Sequence, residues 1–303
     1  MRIVFMGTPE FAVPSLQKLA GSHHEIVAVV TNPDKRRGRG GRKSPSEVKK
    51  KAIELQLPVI TVQDLNDEAF ADRLRELEPD LLVVVAFRIL PESVLAIPKK
   101  GAVNLHASLL PKYRGAAPIH HAVMSGEQET GCTVFYIEQA VDTGKIIGQV
   151  KTNIDPDETT GELYERLKEL GSDLLLNAVN SIHQGDVDPY PQDDTKATPA
   201  PKLYKKDAKI DFTSTSEMVH NKIRGLSPFP VAWCLYNNLK MNLYKSGLGP
   251  DLELSPGELV FRDNDLLVGC GNGTVVLKRM QLPGTKIMSA LEFVNGYELL
   301  TLK

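Results

Sequence analysis

From Leu81 to Phe87, seven apolar residues follow one another without a polar interruption, the longest such run in the chain. It is far too short for the ~18–20 residues of a membrane-spanning helix. Three valines at its centre instead fit a strand buried on both faces, the kind found in parallel sheets covered by helices. Comparable apolar runs recur at Arg2–Met6, Ile26–Thr31, Pro58–Thr61, Ala102–Leu105 and Cys132–Ile137. Between and after them come segments with helical periodicity: Glu10–Ala20, Asp67–Leu77, Ala116–Ser125 and Glu162–Ile182. Ser44-Pro45-Ser46-Glu47 reads as one more helix start, with Ser44 as N-cap. Strand–helix alternation of this kind predicts an α/β fold around a doubly wound, mostly parallel sheet.

The pattern changes after Gln184. Residues 185–208 carry four prolines among polar residues and read as a linker. A helix is predicted at Ser216–Arg224. Short alternating runs follow at Val231–Tyr236, Lys240–Lys245, Gly257–Phe261, Leu266–Cys270 and Thr274–Gln281. They predict a small all-β unit, for which an oligonucleotide-binding-type barrel is one candidate. The expected domains are 1–184, a linker over 185–208, and 209–303.

Charge is distributed unevenly over the 303 residues, whose net charge is only −2. Residues 35–51 hold nine bases and one acid, whereas 52–201 sum to −12. A basic loop on an acidic body points to a local anionic partner, with a solvated charge run as the ordinary alternative. The three cysteines, Cys132, Cys234 and Cys270, have no paired spacing, which argues against disulfides and zinc and for a reducing compartment. His23-His24 and His120-His121 lack metal-ligand spacing and read as exposed.

The turn Met6-Gly7-Thr8-Pro9-Glu10 lacks the glycines of a dinucleotide fingerprint, and no P-loop pattern occurs. Ligands of open α/β sheets sit beyond the carboxyl ends of the strands. There the strand Ala102–Leu105 runs into Asn104-Leu105-His106, whose first and last residues share a face while the chain is extended. An amide donor beside an imidazole suits acyl transfer, which needs an oxyanion stabilised and protons moved. Taken alone, the pair is more often two ordinary strand-end residues. Asp142, in a Gly-containing turn, adds a carboxylate, and such an aspartate commonly serves only its own turn. No serine elbow occurs, and Cys132 falls inside a predicted strand, so covalent catalysis has no candidate.

At Asn104-x-His106-x-Ser108-Leu109-Leu110-Pro111, followed by Tyr113–Ile119 and Asp142-Thr143-Gly144, the chain resembles the methionyl-tRNA formyltransferases. The likeness extends through Phe5–Leu16, the Thr31–Lys35 stretch with its basic loop, Ala200–Phe212, Ile223–Trp233 and Leu282–Gly296. It implies formyl transfer from 10-formyltetrahydrofolate to the α-amino group of methionyl initiator tRNA, without a metal. Asn104, His106 and Asp142 are then catalytic, and Ser108, Leu109, Leu110 and Pro111 bind folate. Arg36, Arg37, Arg39, Arg42 and Lys43 meet the tRNA, helped by a C-terminal barrel. A cytoplasmic monomer with no membrane contact is expected. Family members commonly carry Ala-Tyr-Gly-x-Ile-Leu-Pro after the fourth strand, in a stretch that helps form the pterin pocket. This chain has Ala86-Phe87-Arg88-Ile89-Leu90-Pro91, one residue shorter and without the glycine. Arg88 is left open between solvent and the glutamate tail of the folate.

Three rival readings remain at this level: a formyltransferase acting on a small amine, a non-catalytic RNA-binding protein, and a hydrolase of the formyl donor. The first needs none of residues 209–303, the second leaves the Asn-His-Asp set idle, and the third needs no amine.

Overall fold

The structure is a computed structural model that describes residues 1–37 and 42–303. In chain order it begins β1 (Arg2–Gly7), α1 (Val13–Ala20), β2 (Glu25–Thr31), β3 (Lys35–Arg37), β4 (Arg42–Ser44), α2 (Glu47–Glu54), β5 (Val59–Thr61) and α3 (Glu68–Glu76). It continues β6 (Leu81–Val85), α4 (Glu92–Leu95), β7 (Ala102–His106), α5 (Pro118–Met124), β8 (Glu129–Tyr136), β9 (Ile146–Asn153) and α6 (Thr160–Gln184). The remainder holds α7 (Ser216–Gly225), β10 (Ala232–Tyr236), β11 (Leu239–Leu248), β12 (Leu259–Arg262), β13 (Asp265–Gly269), β14 (Thr274–Gln281), β15 (Met288–Ser289) and α8 (Ala290–Gly296).

Seven strands form one sheet in the order β5-β2-β1-β6-β7-β8-β9. The first five run parallel, and β8 runs antiparallel to β7. All five residues of β6 are buried, as its unbroken apolar sequence requires. The strand is shorter than expected, because Ala86 turns into the left-handed region at φ 48° and ends it. Chain order reverses between β1 and β6, so the crevice expected of such a sheet opens beyond Gly7 and Val85, which are paired. Sidedness is maintained by a core of Val4, Met6, Val30, Leu82, Val84 and their neighbours.

Helix starts follow local capping chemistry, each cap worth about 1 kcal/mol. Asp67 caps α3, Thr215 caps α7, and Ser289 with Glu292 forms a capping box on α8. For α2 the expected cap was wrong by two residues. Ser44 pairs with Lys35 in the β3–β4 hairpin, and Ser46 caps instead, its Oγ accepting from Lys49 N at 3.0 Å. His24 is not exposed as expected: it is buried, with Nε2 3.0 Å from Asn180 Oδ1.

The chain divides into two compact units. One comprises Met1–Gly115, Gly131–Thr152 and Glu165–Pro199, and contains the reversal point of the seven-stranded sheet. The other comprises Ala116–Thr130, Asn153–Tyr164 and Ala200–Lys303. Its antiparallel sheet has the order β10-β11-β14-β13-β12, with β15 on β14, and packs α7 and α8 over Phe212, Met241, Leu277, Phe293 and further buried residues. Among the described residues no pairing joins β12 to β10, so the ladder is an open path. Within this unit α5 lies against α7, where a Cβ on Gly225 would come 3.0 Å from Met124 N; glycine permits the approach. Among the described residues no helix is long and apolar enough to cross a membrane.

Candidate active site

His106 is the last residue of β7, one place beyond the pairing of Leu105 with Val85. Asn104 stands two residues earlier, on the same side of the strand. The His106 ring is only 6% exposed. Its Nε2 lies 2.8 Å from the carbonyl oxygen of Tyr113, which can only accept, so Nε2 carries the proton. Its Nδ1 faces Asp142 Oδ2 at 3.7 Å. In the neutral ring that nitrogen offers a lone pair towards a carboxylate; a proton taken up there turns the contact into an ion pair. The Asn104 side chain is half-buried and makes no hydrogen bond within the described residues, which leaves its amide available to a ligand.

Asp142 is held firmly. Its side chain is 13% exposed, and Oδ2 accepts the backbone N–H of Gly115 at 2.8 Å. Its own φ is +56°, which an aspartate tolerates better than most residues. Tyr113 at +62° and Ala86 at +48° sit in the same region of backbone space, each at a cost of about 1–2 kcal/mol. Such strain gathers where surrounding contacts over-determine the chain. Here they do: Tyr113 N donates to Thr198 Oγ1 and Arg114 N to Thr198 O, both at 2.9 Å.

The segment Ser108–Pro111 is a wired loop. Ser108 is fully buried, and its hydroxyl donates to Lys112 O. Leu110 packs with Phe135 and Ile146, while Leu109 and Pro111 are half-buried. Thr133 donates to Ser108 O at 2.6 Å and accepts from Leu110 N. Gln149 donates to Leu110 O and to Thr133 Oγ1, each at 2.9 Å. Neither Thr133 nor Gln149 carries a signal in the sequence: Thr133 lies within the apolar strand pattern Cys132–Ile137, and Gln149 stands in a mixed polar run without a motif.

At the rim, Arg88 reaches the neighbouring backbone. Its guanidinium donates to Val62 O at 2.7 Å and Gln63 O at 2.9 Å, bracing the loop after β5. Ile89 is left 73% exposed, with Phe87 half-buried beside it and Val141 exposed on the Asp142 turn. Thr8 Oγ1, next to Gly7 at the crevice, is buried without a hydrogen-bond partner among the described residues.

The cysteines take no part in this chemistry. Burial pushes the thiols of Cys132 and Cys234 up to about 12 and that of Cys270 to about 11, so none is a ready nucleophile. Of the basic loop, Lys35 and Lys43 are exposed on the β3–β4 hairpin. Arg36, Arg37 and Arg42 belong to the hairpin by their backbones alone, and Arg39 lies outside the described residues.

The formyl transferase family matches residues 1–179, and the formyl transferase C-terminal domain matches 202–298. The methionyl-tRNA formyltransferase of Chlorobium luteolum is 44% identical over 304 residues, covering 98% of this chain and 97% of its own. That of Moorella thermoacetica is 44% identical over 300 residues, covering 98% and 96%. A solved N-formyltransferase from Helicobacter canadensis, in complex with folinic acid and dTDP-3-aminofucose, superposes with a TM-score of 0.70 at 21% identity. It covers 91% of this chain and 98% of its own, a likeness of fold.

Proposed function

The chain belongs to the methionyl-tRNA formyltransferase family, and we propose that it moves the formyl group of 10-formyltetrahydrofolate onto the α-amino group of methionyl initiator tRNA. The product is N-formylmethionyl-tRNA, used to start translation. The observation that carries the catalytic assignment is the unprotonated His106 Nδ1 facing Asp142 at 3.7 Å, two residues along one strand from the free amide of Asn104.

The neutral amine attacks the formyl carbon, a C–N bond forms, and the carbonyl oxygen becomes an oxyanion. Asn104 donates to that oxygen from a position already fixed by the sheet. The new nitrogen is positively charged and passes a proton to His106 Nδ1, where Asp142 stabilises the imidazolium. On collapse the carbonyl re-forms, the bond to N10 of the folate breaks, and the same proton goes to N10. The donor's flat ring rests on the rim of Phe87, Ile89 and Val141, and Ser108, Leu109, Leu110 and Pro111 form the stiff wall beside it. The tRNA is gripped by Arg36, Arg37, Arg39, Arg42 and Lys43 and by the antiparallel unit. Phosphate contacts of this kind give affinity that falls steeply with salt. Identity of 44% over nearly the whole chain to methionyl-tRNA formyltransferases favours a tRNA acceptor over a small amine.

The test is incubation with 10-formyltetrahydrofolate and charged initiator or elongator methionyl-tRNA. Formylation of the initiator alone is expected. Formate release without an acceptor, or equal formylation of both tRNAs, contradicts the reading.

A further inference from the structure

The Pro-rich stretch before residue 200 is bound into the first unit. Ile146 and Tyr190 exchange backbone hydrogen bonds at 2.8 and 3.1 Å, and Arg114 N donates to Thr198 O at 2.9 Å. Between these two anchors lies Gln192. Its Nε2 donates to the carbonyl oxygens of Asp142 and Gly144, both at 2.9 Å. Its Oε1 accepts from Arg114 Nε at 3.1 Å and Arg114 Nη2 at 2.7 Å. Arg114 Nη2 also reaches Asp194 Oδ1 at 2.6 Å.

The amide cannot turn over. Flipped, its oxygen would meet two carbonyls and its NH2 would meet a guanidinium, so Arg114 fixes which end faces the Asp142 turn. That turn has little support of its own: Val141 is exposed, and within it Thr143 Oγ1 donates to Ala140 O. The residue after Arg114 supplies the N–H that holds the Asp142 carboxylate. Backbone and side chain of Asp142 are thus fixed from two directions, both tied to Arg114.

We infer that Gln192, locked by Arg114, is a positioning residue that sets the Asp142 carboxylate against His106 for formyl transfer. The inference rests on Asp142 acting as proposed above. A general base pair works only while its geometry holds, and a displacement of about 1 Å can cost on the order of 100-fold in rate.

The test compares Gln192→Glu, Gln192→Ala, Asp142→Ala and the double variant Asp142→Ala/Gln192→Glu in the full chain, by single-turnover formyl transfer and by KM for folate and tRNA. Glutamate keeps the oxygen that accepts both Arg114 N–H groups and loses both donors to the turn. Both Gln192 variants should therefore lose about 10- to 100-fold in kcat, with both KM values within about twofold. The double variant should be no slower than Asp142→Ala, since Gln192 acts through Asp142. A Gln192→Glu enzyme of normal kcat beside an inactive Asp142→Ala overturns the positioning role and leaves Gln192 as an anchor for Arg114. Normal turnover in Asp142→Ala removes the premise and overturns the inference with it.

Discussion

Each unit of this chain contains a buried histidine beside an aspartate, and the two pairs differ in what is left unsatisfied. His220 on α7 is 3% exposed, with Nε2 3.0 Å from Pro156 O and 3.5 Å from Asp157 Oδ1. Its Nδ1 lies 2.9 Å from Ser246 Oγ, which can donate to it. A neutral ring therefore has both nitrogens satisfied, and Asp157 is paired with Lys278 at 2.7 Å. His106 has one nitrogen satisfied, and the other faces Asp142 with no donor between them. Proximity of histidine and aspartate is common to both. The open nitrogen and the free amide of Asn104 belong to one alone, which is why that pair is the proposed site and the other a strut.

The comparison breaks if the two histidines exchange phenotypes. His106→Ala should lower turnover about 10²- to 10⁴-fold, with the tRNA dissociation constant unchanged in a filter-binding assay. Asn104→Ala, which removes the proposed oxyanion donor, should cost about 10²- to 10³-fold in kcat. Replacing Arg36, Arg37, Arg39 and Arg42 by alanine acts elsewhere. The slope of log affinity for tRNA against log salt should flatten by roughly 3 to 4, with folate binding intact; an unchanged slope refutes the hairpin's role.

His220→Ala should leave turnover of the folded enzyme alone and lower stability by about 1–3 kcal/mol, because Ser246 and Pro156 lose their partner. Burial, the main cause, holds the His220 pKa below the ordinary histidine value, with Arg224 and Lys278 acting the same way against Pro156 and Asp157. The unfolded chain then binds the proton more readily, so this contribution is present at neutral pH. It is lost as pH falls from about 6.5 towards the lower folded value. His24 and His120, also lowered chiefly by burial, add to the same trend. Thermal melts at pH 7.5 and 5.5 should show a drop that His220→Asn diminishes. That is the smallest of these effects.

Much of this contrast was legible before the fold. Apolar runs and helical spacing located six of the strands of the first sheet, and the two-residue spacing of Asn104 and His106 put them on one face of β7. Strand β9 was missed, since Ile146–Asn153 mixes glycine and polar residues with few apolar ones. Helix α8 was missed although Ser289 and Glu292 spell a capping box. Ser44 and Ser46 offered competing caps, and hairpin pairing of Ser44 decided between them. Gln192 was illegible for a different reason: one glutamine among prolines has no periodicity, and its partners lie 48 to 78 residues away.

The most direct test of the His106–Asp142 assignment is single-turnover formyl transfer by Asp142→Asn on prebound initiator methionyl-tRNA and 10-formyltetrahydrofolate. Asparagine can still accept from Gly115 N–H, so the turn is retained while the negative charge beside His106 is removed. A fall of at least about 100-fold in rate, with both substrates bound as before, is the expected result. A rate equal to that of the unaltered enzyme would contradict the account.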